Sequence, residues 1–527
     1  MWEYQNAAIR LDILSAGSSW KKDPEGKKVL RNHGSSAIHL WNKSKPEQEL
    51  ILCSSCDLAN LSDEQGEYGL KAHARLLVAS EGGLKSEHLE WTRGHVQAVV
   101  PLTDVNQVLQ QYTSGGFNFK PTAEDSKSIG TRWEGSKAEL PSVIVIKPLG
   151  KLPRRGKKCE QLATADVSKV HLEVQCSPFV LVNPAVFMAY TVRGNASYLG
   201  YTANFGRPQS KASVIFSDIR FLEGMEGGVV TDMHGKLVGM VVGSLSKAGG
   251  EGTLTVIVPW QEMMDTLEKK DDKFKLRMSK TLSVESPMTL APFNGVCAIT
   301  VSLTGGRRGW GSGVLINRTT VVTNQHVPGD DYQSVTVWFD KTHSSEAFVD
   351  QAPLPGVDLV FLTLRTPAPP VFFPARLSKT PAYRGQPVES YGFGLMYPTA
   401  PLRPIQPLFS RGHIASAVKM SLEGKPSKDN AMLCSTAHCW NGSSGGGVFD
   451  SKTGELVGIM ASNGKVDNGV IVPDMAFVIP ACGVIDKALQ LKQKGKQGKV
   501  GDRVKDLWAL RETHESLFNP DTPKAKL

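Results

Sequence analysis

Asn441-Gly442-Ser443-Ser444-Gly445-Gly446-Gly447, with Cys439-Trp440 before it and Val448-Phe449 after it, is the stretch that decides how this chain is read. A Gly-Ser run is ordinarily a loop or linker, but apolar residues on both sides place this one inside a folded domain. Gly442 permits a tight turn in which its own N–H and that of Ser444 point one way, and Gly445 and Gly446 keep side chains off the approach. A serine hydroxyl becomes a nucleophile when a histidine removes its proton and an acid fixes that histidine's tautomer. Candidates for both lie upstream. His326 closes the pair GSGVLI (from Gly311) and VVTNQHV (from Val321), and Asp358 opens the apolar run DLVFLTL. Singly, a histidine after a strand is ordinarily a surface residue and an aspartate before one a turn residue. Their joint order His, Asp, Ser within one domain-sized stretch lifts them above that. Asp330, Asp331, Asp340 and Asp350 are rival acids, none of which opens so apolar a strand.

Between residues 290 and 483 the chain is short β-rich runs broken by Gly, Pro and Asn turns, which predicts an antiparallel barrel or sandwich. Residues 297–483 resemble a trypsin-fold serine protease of the Deg type, through the three motifs above and AFVIP (Ala476–Pro480). The resemblance implies that His326 is the general base, Asp358 the orienting acid and Ser444 the nucleophile, with Gly442 and Ser444 supplying the oxyanion-hole amides. Ser443 stands where relatives often carry Asn or Asp, at a position that acts mainly through its backbone. The same resemblance puts His438 near the floor of a modest, mostly apolar substrate pocket and Met460, Ala461 and Ser462 along its wall. Met460 and Ala461 read equally well as ordinary core residues of a strand.

The N-terminal half repeats this pattern in worn form. At an offset of 218, Gly206-Arg-Pro208 faces Gly424-Lys-Pro426, Arg193-Gly194 faces Arg411-Gly412, Ser217 faces Ser435, and GMEGG (Gly224–Gly228) faces GSSGG (Gly442–Gly446). With one residue of slip, GKLVG from Gly235 faces GELVG from Gly454. Glu226 then takes the nucleophile's place, Cys56 or Ser55 the histidine's, and the acid position falls near Ser142. Without serine or histidine this half cannot run acyl transfer. A competing reading makes Cys53 and Cys56 a redox pair or half of a zinc site, but no second C-x-x-C and no thioredoxin-like βαβ pattern accompany them.

Composition sets the outer limits. The chain has 527 residues, 40% hydrophobic and 21% charged, with a net charge of +9 and eight cysteines. These numbers exclude a disulfide-stapled miniature, a collagen-like fibre and a disordered polyelectrolyte. The first residues lack the basic-then-apolar pattern of a secretory signal, and no apolar run approaches membrane-spanning length. A reducing compartment, free thiols, no membrane and no metal or organic cofactor are therefore expected. The chain ends Ala525-Lys526-Leu527, a variant of the Ser-Lys-Leu peroxisomal address. The lysine-rich stretch LQLKQKGKQGKVGDRVK reads as a solvated helix and loop, without aromatics or a nucleic-acid motif.

The expected fold is all-β dominated: two tandem trypsin-like double-β-barrel domains, the N-terminal one degenerate. Expected boundaries are 1–265 for the catalytically dead domain, 266–289 for a charged linker, 290–485 for the active domain and 486–527 for a lysine-rich tail. Together the features resemble the family of peroxisomal (in plants, glyoxysomal) leader-peptide-processing proteases. That resemblance implies a peroxisome-matrix serine endopeptidase that removes N-terminal presequences from imported matrix enzymes and trims others internally, beside a cysteine. Its partners would be those substrates and the peroxisomal import receptor, with self-association allowed for and nucleic acid excluded. Ala525 departs from the serine common at that position. The rival expectation is a catalytically silent scaffold or binding protein on the same fold.

Overall fold

Strands with one face buried account for most of the chain's ordered elements, as the alternating and β-branched runs require. The computed structural model describes residues 2–14, 29–54, 70, 74–85, 88–113, 117–120, 141–161, 171–178, 184–201, 212–247, 253–271, 279–280, 295–395, 406–465 and 471–509. They fall into two compact units, Met1–Val284 and Glu285–Leu527.

The second unit holds two closed barrels. Counting barrel strands from the start of the chain, its first barrel is β13 (Val296–Leu303), β14 (Arg308–Asn317), β15 (Thr320–Thr323), β16 (Tyr332–Trp338), β17 (Ser344–Val349) and β18 (Val360–Leu364). Its second is β19 (Pro387–Gly392), β20 (Leu408–Lys419), β21 (Asn430–Ser435), β22 (Gly447–Asp450), β23 (Leu456–Lys465) and β24 (Ile471–Pro480). In both, the first strand pairs the second, the second the third, the third the sixth, the sixth the fifth, the fifth the fourth, and the fourth returns to the first. Cys297, Ile299, Leu315, Val337 and Leu362 fill one barrel, and Val388, Ile414, Leu433, Val448 and Val478 the other. A further core of Phe361, Tyr391, Phe393, Phe449 and Ile479 joins the two. Full burial of each such side chain contributes about 2 kcal/mol.

The first unit closes two rings in the same order. The first ring is β1 (Trp2–Leu14), β2 (Val29–Asn42), β3 (Lys45–Cys53), β4 (Ala74–Ser80), β5 (Thr92–Pro101) and β6 (Ser142–Pro148). The second is β7 (His171–Cys176), β8 (Tyr190–Gly200), β9 (Val214–Ser217), β10 (Val229–Asp232), β11 (Leu237–Lys247) and β12 (Thr253–Pro259). The fold is thus all-β dominated, two double barrels in tandem.

The repeat read from sequence is also a repeat of hydrogen bonds. Gly227 N–H donates to Val241 O and Gly228 N–H to Met225 O, as Gly445 N–H donates to Met460 O and Gly446 N–H to Ser443 O. Arg193 pairs with Glu173 as Arg411 pairs with Glu389. The pairing of β3 with β6 sets Cys53 against Ile144, and that of β15 with β18 sets Thr323 against Val360. Two residues back from each strand partner stand Ser142 and Asp358. Ser55, Cys56 and Gly206–Pro208 lie outside the described residues.

Two expected boundaries move. Helix α2 (Trp260–Lys270) buries Met263, Met264 and Leu267, so it carries the first unit past 265; α1 (Thr103–Thr113) is the other long helix there. Of the expected linker, residues 272–278 and 281–289 lie outside the described residues. The lysine-rich tail is in its first half part of the second unit. Helices α3 (Asp486–Gln493) and α4 (Asp502–Trp508) place Ala488, Val504 and Trp508 in the core that joins its barrels. Lys492 is turned inward to Asp350 and Thr363 Oγ1, whereas Lys487, Lys494, Lys496 and Lys499 are exposed. Residues 510–527, with Ala525, Lys526 and Leu527, lie outside the described residues.

The duplicated turn is expected to be a stability determinant of the first unit. Gly227 has φ +84° and a Cβ there would lie 2.0 Å from Ser36 O. Gly227→Ala should cost about 3 kcal/mol, read as an earlier urea transition. Gly83→Ala, whose Cβ meets nothing closer than 3.4 Å, should leave that transition in place.

Candidate active site

Topology brings His326 and Asp358 together. Strand β15 ends at Thr323 and its neighbour β18 begins at Val360, opposite it, so the residues just beyond these ends share one sheet edge. His326 lies on the turn after β15 and donates its backbone N–H to Asp358 Oδ1 at 3.0 Å. Its ring Nδ1 lies 2.7 Å from Asp358 Oδ2. Asn324 Nδ2 donates to the Asp358 carbonyl at 2.9 Å, fixing the aspartate's own backbone. An ionised carboxylate only accepts, so a proton sits on Nδ1, and in the neutral ring that tautomer leaves the lone pair on Nε2. Three of the four rival acids are engaged elsewhere, and the fourth, Asp330, is exposed. Asp350 holds Thr363 and Lys492, Asp340 holds His343, and Asp331 holds Arg307.

Ser444 stands on the turn between Trp440 and β22. Gly442 has φ +93°, and a Cβ there would lie 2.3 Å from Trp310 Nε1, so only glycine fits. In this turn every carbonyl from Asn441 to Ser444 is engaged, while from Gly442 to Gly445 only every second amide is. The carbonyls of Asn441, Gly442, Ser443 and Ser444 accept from Leu395 N–H, Ser312 Oγ, Gly446 N–H and Ser312 N–H. The amides of Ser443 and Gly445 donate to Trp440 O and Met460 O. Among the described residues the amides of Gly442 and Ser444 have no acceptor within the chain. Two unengaged N–H groups flanking a serine are the donors that a developing oxyanion needs. Ser444 Oγ itself donates to the Ala461 carbonyl at 3.2 Å and makes no hydrogen bond to His326. Such bonds are often long or absent without substrate.

The expected pocket residues separate. Met460 is buried inside the barrel, with its Cε beneath Gly392 and Gly446, and belongs to the core rather than to a wall. Ala461 is also buried and offers its carbonyl, while Ser462 is half-buried. His438 is partly exposed. Its ring stacks on Trp440 at 5.7 Å, its N–H donates to Ser410 Oγ, and Nε2 lies 3.9 Å from Asp474 Oδ1. Asp474 holds φ +56° without being glycine. It was not singled out from sequence, nor was Asn463, which donates to Cys439 O at 2.6 Å. Neither belongs to a motif. Ser312 sits within the GSGVLI motif, yet nothing in sequence marks its hydroxyl.

Burial dominates the environment of the thiols in both units. Burial pushes the Cys439 thiol up to about 12, and it pushes Cys53 up as well, with the Glu226 carboxylate adding to it. Raised thiols are poor nucleophiles and poor ligands. Among the described residues no group of three or more His, Cys, Asp or Glu is arranged to hold a metal, and no helix is long and apolar enough to cross a membrane.

The trypsin-like peptidase domain family matches residues 311–459. The chain is 30% identical over 210 residues to the peroxisomal leader peptide-processing protease of Mus musculus, covering 36% of this chain and 32% of that protein. It is 26% identical over 335 residues to the Homo sapiens protein of the same name, covering 60% and 54%. The chain thus spans about a third of the mouse relative and about half of the human one. Among solved structures it is similar to the inactive form of Rv3671c from M. tuberculosis H37Rv (23% identity, TM-score 0.30, 41% of this chain and 95% of that one). It is also similar to the serine endoprotease from Yersinia pestis (20% identity, TM-score 0.29, 38% of this chain and 64% of that one). The domain match and the relatives together make residues 311–459 a trypsin-like peptidase domain of the serine type, in a chain related to the peroxisomal leader peptide-processing proteases.

Proposed function

We propose that this chain is a serine endopeptidase of the peroxisome matrix that removes N-terminal targeting presequences from imported enzymes and processes other matrix proteins. The observation that carries the chemistry is the pair of unengaged amides, Gly442 and Ser444, on a turn docked beside the strand that delivers the Asp358-bound His326. The compartment and substrate class rest on the names of the mouse and human relatives.

In this mechanism His326 Nε2 takes the proton of Ser444 as Oγ attacks the scissile carbonyl carbon. Asp358 holds Nδ1–H and balances the imidazolium. The tetrahedral oxyanion accepts from the Gly442 and Ser444 amides, which need no reorganisation when charge develops. Breaking the C–N bond passes the proton from His326 to the leaving amine, and water then hydrolyses the acyl-enzyme by the same path. Every group in this sequence comes from the chain, so no cofactor is invoked. Ser444 must rotate away from Ala461 O to begin, which a bound substrate would favour.

The first unit is read as catalytically silent. Glu226 takes the nucleophile's position, Cys56 or Ser55 that of the base, and the acid position falls near Ser142. A carboxylate so placed has neither an ionisable hydroxyl nor a base to activate it.

Incubation with presequence-bearing matrix proteins, followed by N-terminal mapping of the products, tests the whole reading. Ser444→Ala is expected to lower kcat by about 10⁶-fold and Asp358→Asn by about 10⁴-fold, with the fold retained. A wild-type protein that resists a fluorophosphonate probe at Ser444 would instead favour the silent-scaffold reading. In a Ser444→Ala background, Glu226→Ser is expected to recover neither cleavage nor labelling; recovery would show that the first unit had kept a working base.

A further inference from the structure

We infer that Ser312 is a positioning residue for the acyl transfer proposed above, on which this inference rests: its hydroxyl and its amide together hold the two peptide planes that keep the oxyanion amides in place. Ser312 lies on β14 and is fully buried. Its Oγ accepts from Phe393 N–H at 2.8 Å and donates to Gly442 O at 2.9 Å. Its N–H donates to Ser444 O at 2.8 Å. Its carbonyl accepts from Thr323 Oγ1 at 2.7 Å, three residues before His326. One residue thus ties the segment just after the first strand of the second barrel, both sides of the nucleophile turn, and the strand that delivers the base.

The need for such a clamp follows from Gly442. Glycine is the residue least able to hold its own conformation, and here it supplies one of the two oxyanion amides. The Gly442–Ser443 peptide is fixed at its carbonyl by Ser312 Oγ and at its amide by Trp440 O, 2.7 Å away. The Ser444–Gly445 peptide is fixed at its carbonyl by Ser312 N–H and at its amide by Met460 O, 2.8 Å away. Removing the Ser312 hydroxyl leaves a buried carbonyl and a buried N–H without partners, a state the chain relieves by turning a peptide. The peptide free to turn is Gly442–Ser443, which lies between the two donor-bearing peptides, Asn441–Gly442 and Ser443–Ser444, so turning it changes how the two oxyanion donors are set relative to one another.

The first unit supplies a comparison within the same molecule. Ser36 Oγ accepts from Ser177 N–H and donates to Gly224 O, both at 2.7 Å, so the hydroxyl relay is present there too. Ser36 N–H, however, also goes to Gly224 O, at 2.9 Å, and the Glu226 carbonyl takes Ser35 Oγ instead, at 3.3 Å. The relay alone therefore serves to join two barrels. The clamp that reaches the residue at the nucleophile position is found, among the described residues, in the unit that carries serine there.

The test uses the full-length wild-type, Ser312→Ala, Ser312→Cys and Ser312→Thr proteins, assayed on one presequence peptide. Active sites are counted by end-point fluorophosphonate titration. The expected result for Ser312→Ala is a kcat per titrated site about 30-fold lower, with KM within about threefold. Ser312→Thr, which keeps the hydroxyl, should recover most of the rate, and Ser312→Cys should fall between the two. A purely structural role would reduce the number of titratable sites and leave kcat per site unchanged; that outcome overturns the inference. If Ser312→Ala does not fold, a wild-type kcat per site in Ser312→Cys overturns it equally. A wild-type protein that is neither labelled nor active would refute the proposed function and this inference with it, whereas an active wild type matched by its Ser312 variants would refute the inference alone.

Discussion

A buried turn must find a partner for each of its peptide groups, and this requirement shapes the second unit around residues 441–446. Leaving one buried carbonyl or amide unmade costs about 1–3 kcal/mol. Four consecutive carbonyls in this turn are satisfied by Leu395, Ser312 and Gly446, which come from different parts of the unit. Those bonds define the relative placement of β14, the segment after β19, and the turn itself. The amides of Gly442 and Ser444 are the exception among the described residues, and they are the donors that the proposed mechanism uses. The fold's hydrogen-bond economy and the catalytic geometry are therefore one arrangement.

The duplication shows which part of that arrangement depends on side chains. In the first unit the glycines at 224 and 227 keep positive φ, and the bonds to Val241 and Met225 persist, although Glu226 has replaced serine. Backbone bonds, two glycines and the hydroxyls of Ser35 and Ser36 maintain the turn without a serine at 226. The three chemical positions lie at strand ends, where a substitution disturbs no ladder pairing. The six-strand closure order is accordingly the same in all four rings, whatever residues stand at these positions.

What was legible in sequence follows from the same division. Glycines at forced φ, the apolar strand behind Asp358 and the strand leading to His326 all leave local patterns, so the barrels and the three candidate residues could be read. Features built from long-range bonds left none. Ser312 Oγ is one hydroxyl in a Gly-Ser-Gly run, and Asp474 meets His438 only because β24 returns beside β23. Met460 was ambiguous because an apolar residue on a strand has two faces, and register alone decided that it points into the barrel. The lysine-rich tail misled through composition. Charges on the outer faces of α3 and α4 hid the narrow apolar stripe of Ala488, Val504 and Trp508.

That stripe bears on how firmly the site is held. Strand β18, which presents Asp358, has an outer face that a bare barrel would leave to solvent. Thr363 on that strand shares Lys492 with Asp350, at the end of the neighbouring β17. A lysine brought inward onto a carboxylate and a hydroxyl is stronger than the usual surface pair, because its donors are satisfied at a partly desolvated position. Helix α3 therefore braces the strand carrying the acid, while Val504 and Trp508 of α4 close the core between the two barrels. The chain beyond the last barrel strand is therefore packed into the second unit, which extends at least to α4.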